Sequence, residues 1–211
     1  MKQITIIDYE CGNILNLIRA IKFLNYKVEI THDHKKIMNS SHVILPGVGA
    51  FGNAMKQIEK YSLQNCILEY SKLNKPLLGI CLGMQILLTE SYEYGVHKGL
   101  NLIEGKVIKI SNKGNKEVKV PHMGWNEIYP NNGKEEWKSK ILKSSLIGKS
   151  FYFVHSFVCV TKNSESNIAV CKYSDISIPA VISKGNIFGC QFHPEKSADN
   201  GLAVLRNFCE I

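Results

Sequence analysis

The chain has 211 residues, 45% of them hydrophobic and 21% charged, with a net charge of +8. That is enough chain for one domain with a substantial core, and no apolar run approaches the ~20 residues that a membrane span needs. The basic balance does not point to nucleic acid. Of the 26 basic residues only Arg19 and Arg206 are arginine, the commoner reader of base edges, and the lysines are dispersed among Glu and Ser.

In chain order, residues 3–8 (QITIID) have the character of a buried strand, followed by a turn at ECGN. Ile14, Leu17, Ile18, Ile21 and Leu24 recur at helical spacing. Residues 26–31 alternate as a second strand, and 41–47 (SHVILPG) form a third, closed by proline and glycine. Helical stretches follow over 51–60 and 63–73, then a fourth strand at 75–80 (KPLLGI) and a helix opening at LGMQILLTE. This order predicts an α/β fold with an open, mostly parallel twisted sheet flanked by helices. In such sheets ligands bind beyond the carboxyl ends of the strands, where PGVGAF and GICLGMQ both lie.

The second half adds an antiparallel β portion. Its strand-like runs are LIEGKVIKI, KVPHMGWNEIY, SFYFVHSFVCV, IAVCKY, PAVISKG and IFGCQFHPE, separated by turns at NKGN, NNGK and KNSESN. The last segment, SADNGLAVLRNFCEI, reads as a helix. There is no repeat, low-complexity tract or long linker, so residues 1–211 are expected to form a single domain.

The opening MKQITIIDYE turns acidic too soon for a secretory signal, which makes a reducing cytoplasm the expected compartment. The seven cysteines agree: an odd number cannot all pair within the chain, and no C-x-x-C spacing occurs. Neither a disulfide framework nor a zinc–thiolate site is expected, and no metal or cofactor. Cys171 and Cys190 read as small buried hydrophobes.

One cysteine is different. In GICLGMQ, residues 79–85, Cys81 stands between two glycines, directly after a strand and before a helix. G-x-C-x-G in that setting has the form of a nucleophile elbow, a strained turn that exposes its central side chain. The backbone N–H of Leu82 can then donate to an oxyanion. PGVGAF, residues 46–51, ends the preceding strand with glycines that let an N–H near Val48 or Gly49 face a developing negative charge. In QFHPE, residues 191–195, His193 and Glu195 lie two apart in a segment stiffened by proline. His193 can take the thiol proton and Glu195 can orient the imidazole.

Taken together, IDYECGNI, LPGVGAFG, GICLGMQ, VPHMGWN, YFVHSF and FHPEKS resemble the class I glutamine amidotransferases over nearly the whole chain. VPHMGWN and FHPEKS bring the likeness closest to the glutaminase subunits of imidazole glycerol phosphate synthases. The resemblance implies a Cys-His-Glu triad of Cys81, His193 and Glu195 that hydrolyses L-glutamine through a glutamyl thioester. It implies that Gln85 and Glu93 hold the amino-acid end of glutamine and that His155 and Ser156 line the pocket. It also implies a heterodimer in which ammonia passes to a (β/α)8 cyclase subunit of histidine biosynthesis. His122, Met123, Trp125 and Lys196 match the docking surface for that partner. Two departures, Glu10-Cys11 in the first turn and Phe157 where tyrosine is common, fall near pocket or partner positions. Other readings are a paralogous glutaminase serving a surface-sugar synthase, a non-catalytic binding protein of the same fold, and a cysteine peptidase.

Overall fold

The structure is a computed structural model that describes residues 2–12, 14–111, 118–133 and 135–211. Nine strands form one large sheet: β1 (Gln3–Ile7), β2 (Lys27–Thr31), β3 (His42–Leu45), β4 (Leu77–Ile80), β8 (His122–Pro130), β9 (Ser150–His155), β11 (Asn167–Tyr173), β12 (Ile176–Lys184) and β13 (Ile187–Cys190). Their order across the sheet is β2-β1-β3-β4-β13-β12-β11-β8-β9. The β2-β1-β3-β4-β13 part is parallel, and every pairing from β13 to β9 is antiparallel. A second sheet orders β10 (Phe157–Thr161), β7 (Gly105–Lys109), β5 (Glu90–Ser91) and β6 (His97–Lys98).

The inner parallel strands β3, β4 and β13, and most of β1, carry near-continuous apolar runs because both faces are covered, whereas the edge strand β2 (KVEIT) does not. Ile4, Ile6, Ile44, Leu78 and Ile80 point to one side, where α1 (Ile14–Phe23) brings Leu17 and Ile21 and α6 (Ala198–Glu210) brings Val204, Leu205 and Phe208. Ile7, Val43, Leu45 and Leu77 point to the other side. There they meet α2 (His34–Asn39), α3 (Phe51–Lys60), α4 (Leu63–Lys72) and α5 (Leu82–Ile86). The alternation follows from the two-residue period of a strand.

The first-half strands and helices fall where the pattern predicts, with three additions: helix α2 and the two-residue strands β5 and β6. Helix α2 joins β2 to β3 and supplies the crossover that parallel strands need. Its start is capped by Asp33, whose Oδ1 accepts the Lys36 N–H at 3.0 Å. In the second half, SFYFVHSFVCV is two strands rather than one: β9 joins the large sheet, β10 joins the small one, and the chain changes sheets at Ser156. The NKGN turn lies outside the described residues. No helix among the described residues is long and apolar enough to cross a membrane.

Candidate active site

Strand β4 ends at Ile80, and Cys81 follows with φ 54° and ψ −108°. This is a strained conformation for a residue with a side chain. It is held from outside: the Cys81 N–H donates to the Cys190 carbonyl at 2.8 Å, tying the corner to the neighbouring strand β13. The glycine at 83 is required by a close approach. A Cβ there would sit 1.8 Å from the Leu45 carbonyl oxygen, so the helix after Cys81 can only reach this depth without a side chain.

His193 lies three residues beyond β13, which runs beside β4. Its N–H donates to the Tyr152 carbonyl at 2.9 Å, and its own carbonyl accepts from the Ser197 hydroxyl at 2.7 Å. Ser197 in turn accepts the Tyr152 N–H at 2.9 Å, so one buried hydroxyl clamps the His193 backbone to β9. Glu195 does not follow in an extended segment, as two-apart spacing suggests. Pro194–Lys196 forms a 3-10 turn, and the turn brings Glu195 Oε1 to 2.8 Å from His193 Nδ1. The other ring nitrogen is left free for the thiol: His193 and Cys81 line the same pocket, where the thiol donates to the Val154 carbonyl at 3.8 Å.

The electrostatics of His193 are a contest. Burial alone lowers its pKa. Interactions with Cys81 and Glu195 outweigh that and raise it from 6.5 to about 10. Both side chains of the His193–Glu195 pair are more than nine-tenths shielded from water, which strengthens the interaction. The other cysteines behave differently. Burial pushes Cys171 and Cys209 up to about 12, and Cys159 and Cys190 well above the ordinary thiol range. They are inert packing groups.

A pocket of about 390 Å³ opens over Cys81. Val48, Gly49, Leu82, Gln85, Glu93, His155, Ser156 and His193 all line it. Eight residues singled out from five separate stretches of sequence therefore meet around one sulfur. Two of them are less free than their types suggest. The Val48 N–H donates to the Cys11 carbonyl at 2.8 Å, so in this conformation it does not serve an oxyanion. Gly49, at φ 99°, and Leu82 remain as the backbone candidates. Glu93 turns Oε2 to the Phe51 N–H at 2.5 Å, which caps the start of α3 with a buried carboxylate.

His155 and His122 form a buried pair, with His155 Nε2 2.9 Å from His122 Nδ1. His122 also contacts Asn126 Oδ1 at 2.8 Å and stacks between Phe153 and Tyr173. The expectation that His122 belongs to a docking surface is corrected here, because His122 has no exposed area at all. Strand alternation places it inside and its neighbours outside: Met123 is 61% and Trp125 53% exposed. Trp125 pairs across the strands with Tyr152, and the Lys196 ammonium lies 5.9 Å from the same Tyr152 ring. These three make one contiguous outer face. A groove of about 1030 Å³ continues from Trp125 past Tyr129 to Lys172.

Three structural contributors carry no signal of their own in the sequence. Ser197 is the clamp described above. Tyr9, fully buried, donates its hydroxyl to the Pro46 carbonyl at 2.5 Å and so pins the turn that carries Val48 and Gly49. Gln191, inside the QFHPE run, brings Nε2 to 3.7 Å from the Cys81 sulfur.

The family model described as glutamine amidotransferase class-I matches residues 5–211. The chain is 39% identical over 213 residues to imidazole glycerol phosphate synthase subunit HisH 1 of Legionella pneumophila, covering 100% of both chains. It is 41% identical to the HisH subunit of Wolinella succinogenes, over 99% of this chain and 100% of that one. Among solved structures, PurLQS from Thermotoga maritima superposes with a TM-score of 0.71 at 17% identity, covering 99% of this chain and 98% of that one. The glutaminase domain of Trypanosoma brucei CTPS, with bound acivicin, gives a TM-score of 0.65 at 15% identity, covering 100% and 94%. The two structures share the fold, and the closer relatives and the family match share the sequence: this chain belongs to the class I glutamine amidotransferases.

Proposed function

We propose that the chain is the glutaminase subunit of an imidazole glycerol phosphate synthase, with Cys81, His193 and Glu195 as its catalytic triad. The observation that carries the chemistry is a thiol on a strained elbow that shares a pocket with an imidazole, which a buried carboxylate holds at 2.8 Å. The Cys81 sulfur attacks the side-chain amide carbon of glutamine and an S–C bond forms. As the tetrahedral adduct collapses, the C–N bond breaks and the imidazolium of His193 gives its proton to the leaving ammonia. His193 then takes a proton from water, which attacks the thioester and releases glutamate and the thiolate.

The pocket supports the same substrate. Glu93 offers a carboxylate to the ammonium of glutamine. Gln85, His155 and Ser156 shape the wall, and Gly49 and Leu82 supply N–H groups toward the oxyanion. No cofactor enters this chemistry. Free ammonia is largely protonated in water at neutral pH and loses its nucleophilicity, so it needs a direct route to an acceptor. The HisH names of the relatives support a cyclase partner, and the outer face of Met123, Trp125 and Lys196 has the aromatic anchor that such docking uses. A single domain working in the cytoplasm accommodates seven free cysteines.

The test is glutamate release from glutamine, alone and with the histidine-pathway cyclase and its nucleotide ligand. Cys81→Ala abolishes turnover, and the cyclase strongly stimulates the wild type. Turnover by Cys81→Ala removes the triad assignment. An alkylatable, glutamine-specific enzyme indifferent to the cyclase removes the histidine-pathway assignment and directs attention to a surface-sugar synthase.

A further inference from the structure

We infer that Gln191 is a further catalytic residue: its side-chain amide is locked so that an N–H group faces the Cys81 sulfur and holds it as the thiolate. The inference rests on the proposed function in taking Cys81 as the nucleophile.

The locking starts two residues away from the sulfur. The Phe157 carbonyl can only accept, and it lies 3.2 Å from Gln85 Nε2. That contact fixes which end of the Gln85 amide is the NH2 group. The second hydrogen of the same NH2 group reaches Gln191, 3.3 Å away, where only an oxygen can receive it. Gln191 must therefore turn Oε1 toward Gln85. Its Nε2 is then left pointing at Cys81 Sγ, 3.7 Å away. The backbone leaves little freedom for any alternative, because the Gln191 N–H donates to the Ala180 carbonyl at 2.9 Å and the residue has no exposed area. A backbone carbonyl on β10 thus sets, through two amides, which end of Gln191 the sulfur meets; the neutral thiol also donates to the Val154 carbonyl at 3.8 Å, a contact that ionisation gives up.

A thiol is a weak acceptor and a thiolate a strong one, so this N–H favours the charged form. The imidazolium of His193 favours it from another direction. Gln191 has two points of action. Before attack it adds to the thiolate population. During thioester hydrolysis the C–S bond breaks, its electron pair returns to sulfur, and the amide N–H is already in place to receive that charge. A purely structural glutamine would fill the same space without touching the ionisation.

The experiment follows iodoacetamide alkylation of Cys81 against pH, read on the Cys81 peptide by mass spectrometry, beside glutamate release. Wild type is compared with Gln191→Met and Gln191→Glu, each checked for folding by circular dichroism. Gln191→Met is expected to raise the alkylation midpoint by about one pH unit, a tenfold loss of thiolate below it, and to lower kcat about tenfold with little change in KM. Gln191→Glu keeps the shape and places a negative charge at the sulfur, so its midpoint rises further. It also carries the test if the methionine variant fails to fold. A folded variant whose midpoint equals that of wild type overturns the inference. A wild-type protein that shows the shift series but hydrolyses no glutamine leaves the Gln191 contact standing and removes the proposed function instead.

Discussion

His122 Nδ1 lies 2.9 Å from His155 Nε2, and both residues are buried where β8 and β9 pair. The contact joins the strand that carries the exposed Met123 and Trp125 to the wall of the catalytic pocket. It also has a consequence for acid stability.

Burial lowers His122 below its ordinary 6.5 and pushes His155 down to about 3, with the neighbouring rings of His122 and His193 adding to the effect on His155. Burial likewise takes His42 to about 4. The unfolded chain binds protons at these positions below about pH 6.5 and the folded chain does not. Stability therefore falls as pH drops below 6.5, by up to about 1.4 kcal/mol per pH unit each for His42 down to about pH 4 and for His155 down to about pH 3, with His122 acting in the same direction. Urea unfolding at a series of pH values checks this. His155→Gln is expected to remove one ring's share of the slope.

The His193–Glu195 pair has the opposite sign. His193 is raised above 6.5 to about 10, so the stabilisation it brings is complete below pH 6.5 and lost as pH climbs through 10. In Glu195→Gln the imidazolium loses its buried counter-charge. The alkaline limb of the kcat/KM profile is expected to move to lower pH, and turnover to fall roughly 100-fold. An unmoved limb would show that Glu195 does not tune the base.

The elbow makes a prediction about space. Gly83→Ala drives a methyl group to within 1.8 Å of the Leu45 carbonyl oxygen, a backbone atom that cannot swing aside. We expect it to cost about 3 kcal/mol or more, visible as a large drop in Tm. At Gly49 a Cβ would meet no atom within 4 Å, and only the φ of 99° resists substitution. Gly49→Ala is expected to cost about 1 to 2 kcal/mol, with its larger effect on turnover.

Trp125 makes a prediction about association. Its ring stands on the outer face, 6.0 Å from that of Tyr152, whose carbonyl holds His193. Trp125→Ala is expected to weaken cyclase binding by about 2 kcal/mol, or roughly 30-fold, by calorimetry. Basal alkylation of Cys81 serves as the control for an intact site.

Local motifs make the proposed triad legible. Cys81 announces itself by its glycines and His193 by Glu195, and each motif is contiguous in the chain. The parallel half is legible because its strands and helices differ in period, and helix α2 escapes because six residues, HKKIMN, are too few to show one. Two features that the sequence hides have particular causes. HMGW reads as one block, although strand alternation alone separates His122 from Trp125. The change of sheet at Ser156 leaves no trace, because Phe151, Phe153 and His155 and then Cys159 keep the same parity across it. Gln191 is in plain view, but its role depends on Gln85 and on the Phe157 carbonyl, which are distant in the chain. Only the tertiary fold brings those groups together.

The position of β13 in the large sheet ties assembly to reactivity. It is the last strand to be synthesised, yet it lies in the middle, with β4 on one flank and β12 on the other. Without it the sheet is two separate pieces, one holding Cys81 and the other holding β12, β11, β8 and β9. The same insertion that welds them delivers His193 and Gln191 to the sulfur and supplies the carbonyl that braces the Cys81 backbone. A nascent chain that ends short of residue 187 thus carries the thiol with neither its base nor its amide. Closure of the sheet and assembly of the proposed site are one event.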